Sequence, residues 1–141
     1  MVTIDTNILV YAHREEFTVH SKAKKFLIEM NQSYDPWVLL WPCLYEFMRV
    51  ITHPKLFHPP TPVDLGLAAV DFLYNSCTAV LGETEQHPHW FKLMISQTQC
   101  KGNHVFDAHI AALMREHGID KIMTTDKDFY QFKGIEVINP L

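Results

Sequence analysis

Cysteine is scarce in this chain: Cys43, Cys77 and Cys100 are the only three among 141 residues. They are far apart, odd in number and form no CxxC. That counts against a disulfide framework or a structural zinc site, and it predicts a reducing cytoplasm. No apolar stretch approaches the roughly 20 residues that span a bilayer, so no membrane partner is expected. Asp5 interrupts the N-terminal apolar run, so no signal peptide is expected either. Positive charge is also in short supply. Twelve Lys and Arg face 16 Asp and Glu, for a net charge of -4 and a pI near 6.1. A chain with no basic field does not grip nucleic acid by charge alone, although one working through a bound cation remains open. GxxxxGKS and GxGxxG are absent, which argues against a P-loop or dinucleotide fold. Nine histidines are present, but none has HExxH or HxxxH spacing. His87, His89, His53 and His58 therefore read as surface or cap residues. Cys43 has no evident activating base.

What is present is an ordinary globular balance, 48% hydrophobic and 20% charged, without repeats or long linkers. A length of 141 residues suits one domain spanning 1–141 with a real core. Short apolar runs alternate with helical periodicity. The predicted strands are Val2–Asp5, Trp37–Trp41, Thr78–Gly82, Lys121–Thr125 and Ile135–Asn139. Between them lie helical patterns. One begins in TNILVYAH, with Thr6 as a cap, and one runs from Thr18 to Met30. A third runs from Pro42 to a stop at Pro54, and a fourth from a Thr61–Asp64 capping box to Asn75. The last two cover Thr84–Thr98 and His104–His117, with Asn103 as cap and Gly118 as stop. This alternation predicts an α/β fold with a parallel sheet covered on both faces. Sites in such sheets form at the carboxyl ends of strands, near a topological switch point.

Four carboxylates fit that placement. Asp5 ends the first strand and Asp126 ends the fourth; each has a plain alternative as a turn or cap residue. Asp107 shares a helix face with Ile110, Ala111 and Met114, where an Asp is rare unless paired or bound to a cation. Its alternatives are a salt bridge to Arg or Lys, or a displaced helix boundary. Glu46 sits opposite the stripe of Leu44, Phe47, Met48 and Ile51, beside Arg49 and His53. By pattern it is a surface Glu, yet it opens the helix after the second strand. His109 falls on the side of its helix opposite Asp107 and is left out. Converging carboxylates repel and need compensation. An oxygen-rich site without Cys or His suits Mg²⁺ or Mn²⁺, which supports phosphodiester hydrolysis. With those four residues set aside, the rest of the chain is formally neutral.

DTNILVY after the first strand, a Glu opening the helix after the second, FDAHIAALMREHG, TTDKDF and the closing GIEVINPL together resemble a PIN-domain ribonuclease, and within that family the VapC-like toxins of toxin–antitoxin pairs. The resemblance covers essentially the whole chain. It implies a PIN-like three-layer α/β/α fold with a central, mainly parallel sheet of about five strands. It makes Asp5, Glu46, Asp107 and Asp126 the catalytic, metal-binding acids, with Thr6, Asn7 and Thr125 as supporting polar groups. Asp128 matches a further acid beside the fourth position, and it is expected to point elsewhere or cap the next turn. The resemblance also implies Mg²⁺ or Mn²⁺, an RNA substrate, a homodimer and a small antitoxin that covers the site. Lys22, Lys24, Lys25, Arg14, Arg49 and Lys101 are the candidates for an RNA surface, the three clustered lysines reading equally as a solvated helix face. Two alternatives stand beside this reading. One is a catalytically silent PIN-like binding module. The other is a haloacid-dehalogenase-type phosphatase with Asp5 as nucleophile, which needs a second Asp where this chain has Asn7.

Overall fold

Five short strands are arranged as a parallel sheet in a computed structural model that describes all 141 residues. The strands are β1 (Val2–Ile4), β2 (Trp37–Leu40), β3 (Ala79–Leu81), β4 (Lys121–Met123) and β5 (Glu136–Ile138). Their spatial order is β3-β2-β1-β4-β5, and every neighbouring pair is parallel. The chain therefore winds outward from β1 to β3, then crosses back over β1 to add β4 and β5. The reversal of direction lies between β1 and β4. There Thr3 pairs with Ile122 and Ile4 with Met123. Beyond that register Asp5 N–H donates to Met123 C=O at 3.0 Å.

Helices cover both faces. The helices are α1 (Thr6–His13), α2 (His20–Gln32), α3 (Trp41–Ile51), α4 (Val63–Ser76), α5 (His87–Thr98) and α6 (His104–Glu116), and a 3₁₀ turn spans Lys127–Gln131. Strand alternation divides the core. Trp37 and Leu39 of β2 join Ile4, Ile8, Leu9, Leu44, Phe47, Ile51 and Leu73 on the α1–α4 side. Val38 and Leu40 join Met94, Ala108, Ala111, Ala112, Leu113 and Ile122 on the α5–α6 side. The result is the three-layer α/β/α architecture expected from the alternating pattern. No helix is long and apolar enough to cross a membrane.

The differences from expectation lie at element ends. Strands stop one or two residues early, because helices and turns take over the residues that follow them. Trp41 is the first residue of α3, so Pro42 lies in its first turn, where a missing N–H costs nothing. That helix ends at Ile51, before Pro54. Thr6 is not the cap of α1. Asp5 is, its carboxylate accepting the Thr6 N–H at 2.8 Å. Thr61 does not cap α4 either. The N-cap is Pro62, and the buried Thr61 hydroxyl instead meets His13 at 2.9 Å and Arg14 at 3.2 Å. Asn103 makes no capping bond to α6. α5 begins at His87 rather than Thr84, whose hydroxyl accepts the Gln86 N–H in the preceding turn. Gly118 does follow α6 with φ +68°, the left-handed stop its position predicted.

Candidate metal centre at the sheet switch point

The end of β1 is built around one hydroxyl. Thr124, immediately after β4 and buried, donates to Asp5 Oδ2 at 2.7 Å. The Thr124 Oγ1 in turn accepts from Asn7 Nδ2 at 3.1 Å and from the Asp126 N–H at 2.9 Å. One side chain thus ties three site residues together across the β1–β4 junction. The resemblance points to Thr125, but the hydroxyl that bonds Asp5 is Thr124's, and Thr125 makes no side-chain hydrogen bond. Strand alternation explains the exchange: β4 stops at Met123, so the first residue beyond it turns inward beside Asp5. Thr6 is buried and donates to the Cys43 carbonyl at 3.3 Å, bracing α1 against α3 from behind. Cys43 is buried, and that burial pushes its thiol up.

Asp5 faces two further acids. Burial raises its pKa to about 6, opposed by the bonds from Thr124 and Thr6 and reinforced by the charges of Glu46 and Asp126. Asp126 takes the plain cap role and also lies close enough to act on other acids. It caps the 3₁₀ turn, accepting the Asp128 N–H at 2.8 Å, and its charge bears on both Asp5 and Asp107. Asp107 occupies the first turn of α6 with a side chain only 21% exposed. Burial raises its pKa as well, with Asp126 and Asp128 adding to the shift and His104 opposing it. Its salt-bridge alternative is not realised, since no Lys or Arg pairs with it. Glu46 lies in the second turn of α3 rather than at its start. It is half exposed and 3.5 Å from Arg49 Nη2, yet its field reaches Asp5.

Two residues extend the cluster. His104, the first residue of α6, places Nδ1 at 3.4 Å from Asp107 and 3.5 Å from Asp128. Asp128 therefore does not point away. It joins Asp107 and His104 in a group whose ligand atoms lie within 4.8 Å of one another. His104 was missed because it lies outside the apolar stripe of α6. Its only signal in the sequence was its spacing of three residues from Asp107, which places both on one helical face. His109, by contrast, turns away from Asp107 and bonds Glu83.

The donor set fits a hard divalent cation. Asp126 bears on both Asp5 and Asp107, Glu46 on Asp5 and Asp128 on Asp107, with no Lys or Arg paired to Asp5, Asp107 or Asp126, and such a chain of like charge calls for a bound counter-charge. Asn7 supplies an independent sign. Its Oδ1 is buried and has no hydrogen-bond partner, a costly state that a metal-bound water would relieve.

Three of the six basic residues proposed for RNA are committed elsewhere. Arg14 is 12% exposed, salt-bridged to Glu16, bonded to the Pro59 carbonyl and seated over the Phe57 ring. Lys25 pairs with Glu29, and Arg49 with Glu46. Lys101 differs. With Lys127, Gln99, His104 and Asp128 it lines a polar cleft of about 350 Å³ beside the acids.

The fold and this site define a class, and the class is confirmed by sequence: residues 2–135 match the PIN domain, and the chain belongs to that family. Within the family it is homologous to VapC toxins of type II toxin–antitoxin systems. It is 32% identical over 139 residues to Ribonuclease VapC48 of Mycobacterium tuberculosis, covering 98% of this chain and 96% of that protein. It is 31% identical over 142 residues to Ribonuclease VapC43 of the same organism, covering 100% and 96%. The VapBC2 structure from Rickettsia felis, bound to a promoter DNA fragment, shares the fold with a TM-score of 0.74. Identity there is 13%, over 99% of this chain and 98% of that one.

Proposed function

We propose that this chain is a single-domain, divalent-metal-dependent endoribonuclease, with Mg²⁺ or Mn²⁺ as its ion, and the toxin of a toxin–antitoxin pair. The observation that carries the reading is the set of uncompensated acids at the switch point, held in place by Thr124 and accompanied by the unpartnered Asn7 Oδ1. Asp5, Asp107 and Asp126 would hold the ion, with Asp128 and His104 beside them. When bound, the cation polarises the phosphoryl oxygen and lowers the pKa of water. Glu46 orients the attacking water and accepts its proton. Thr124 fixes the Asp5 carboxylate, and Asn7 aligns a water through Oδ1. Lys101 and Lys127 steady the RNA backbone beside the scissile phosphate. The phosphatase alternative loses its second acid to Asn7, whose amide is tied to Thr124.

The homologous VapC toxins support an antitoxin as partner. Its seat is an apolar groove of about 310 Å³ among α1, α2 and α4, where Leu9, Ala12, Leu27, Ile28, Phe72 and Leu73 line the walls. Ile28 is 48% and Phe72 65% exposed, surface that an apolar segment of a partner would cover. The toxin works as a homodimer in the cytoplasm, where three unpaired cysteines are stable.

The test is incubation of purified protein with total cellular RNA in Mg²⁺, in Mn²⁺ and in chelator, beside the Asp5→Asn variant. Discrete metal-dependent fragments are expected, with cleavage at least about 100-fold slower in the variant. Full activity in Asp5→Asn, or in chelator, would overturn the assignment.

A further inference from the structure

A second cluster of ligating side chains lies on the other side of α6. Glu83 follows β3, His87 opens α5, and His109 sits in the second turn of α6. Their ligand atoms all lie within 4.8 Å of one another. His109 is two residues from Asp107, about 200° around the helix, so this group does not open on the acidic cluster.

The site is built rather than incidental. His109 Nε2 meets Glu83 Oε1 at 2.7 Å. His87 Nδ1 donates to Glu116 Oε1, and the Glu116 side chain is fully buried. The other oxygen of Glu116 accepts the Thr84 N–H at 3.0 Å and the Thr84 hydroxyl at 2.7 Å. Glu116 is thereby immobilised, and it fixes the His87 tautomer, leaving Nε2 free as a ligand. A buried carboxylate behind a histidine is the arrangement that orients imidazoles in metal sites. His117 Nε2, bonded to the Gly82 carbonyl at 2.7 Å, pins the loop that carries Glu83.

We propose that Glu83, His87 and His109 form a transition-metal site, distinct from the acidic centre, that takes Zn²⁺ in preference to Mg²⁺. Two imidazoles and one carboxylate match zinc, with a fourth position left to water. Mg²⁺ favours oxygen-only sets. Tetrahedral zinc requires ligand atoms about 3.3 Å apart. Glu83 and His109, with side chains 51% and 26% exposed, have the freedom to close around the ion while His87 stays fixed. The ion would tie the end of β3, the start of α5 and the helix bearing Asp107. Nothing in this site depends on the ribonuclease reading.

The test is calorimetric titration with Zn²⁺ in millimolar Mg²⁺, in an Asp5→Asn/Asp107→Asn/Asp128→Asn background that removes acids from both parts of the acidic centre, the His104–Asp107–Asp128 group included. Co²⁺ titration in the same background reports geometry through its visible spectrum. One Zn²⁺ per chain is expected, with a four-coordinate Co²⁺ spectrum and a rise in Tm. Glu83→Gln and His109→Gln should each lower affinity about 100-fold, and Glu116→Gln about 10- to 100-fold. Glu83 is exposed, so its variant keeps the fold, which circular dichroism would verify. No zinc binding in the background protein, or binding unchanged in Glu83→Gln and His109→Gln, would overturn the site. Neither outcome bears on RNA cleavage, which is read in the unaltered chain.

Discussion

Thr124 and Asp5 make the residue-scale behaviour specific. Removing the Thr124 hydroxyl strips three partners at once: Asp5, Asn7 and the Asp126 N–H. Thr124→Ala should slow cleavage about 10- to 100-fold and cost about 1–3 kcal/mol, while Thr124→Ser and Thr125→Ala stay close to the parent. Cleavage rates and thermal melts of the three variants check this. Asp5 adds a pH dependence. Its folded pKa of about 6 lies above the ordinary 3.8, so between those values the folded protein holds the extra proton. Stability of the metal-free protein is therefore greatest below pH 4 as far as Asp5 is concerned, and it is lost as pH rises through 6, by roughly 2–3 kcal/mol. Urea titrations from pH 4 to 7, with and without Asp5→Asn, should show a steeper slope in the parent, the variant keeping the part that the raised Asp107 contributes. Metal affinity should move the opposite way, falling below pH 6 as the proton competes for the carboxylate.

At the scale of elements, α6 is the strut of the site. Ala108, Ala111 and Ala112 let its backbone approach the sheet, and Ile110, Leu113 and Met114 fill the space beside them. Asp107 stands at the start of this packed face. Leu113 is wholly buried, so Leu113→Ala should destabilise by about 2–5 kcal/mol. Phe106, 69% exposed, should tolerate Ala within about 0.5 kcal/mol. Denaturant midpoints of the pair separate packing from surface effects. The pattern of α6 was legible in FDAHIAALMREHG because its periodicity spans several turns. Most starts of elements were not. Thr61 and Asn103 carry the right chemistry for caps, yet Thr61 is taken by His13 and Arg14 from a distant part of the chain. Cap chemistry is local, and tertiary partners compete for the same oxygen.

At the scale of the whole molecule, the -4 charge is unevenly used. Acids gather at the switch point, and Lys101 and Lys127 stand at its edge. Reversing both to Glu should weaken RNA cleavage about tenfold at low salt through KM and flatten its salt dependence, with melting unchanged. Cleavage measured across a salt series tests this directly.

Composition and periodicity alone determined the class of fold, the order of helices and strands, and the carboxyl ends at which Asp5 and Asp126 emerge. These follow from local steric preference and from the need to bury every apolar stripe, which act on neighbours along the chain. Only the tertiary structure decided that Thr124, rather than Thr125, joins β1 to β4. The same holds for Asp128 and His104 turning toward Asp107, and for Glu83, His87, His109 and Glu116 meeting on the far side of α6. Those facts depend on where a strand stops and which way a side chain then faces. A shift of one residue reverses that direction, and the contacts that set it come from residues dozens of positions away.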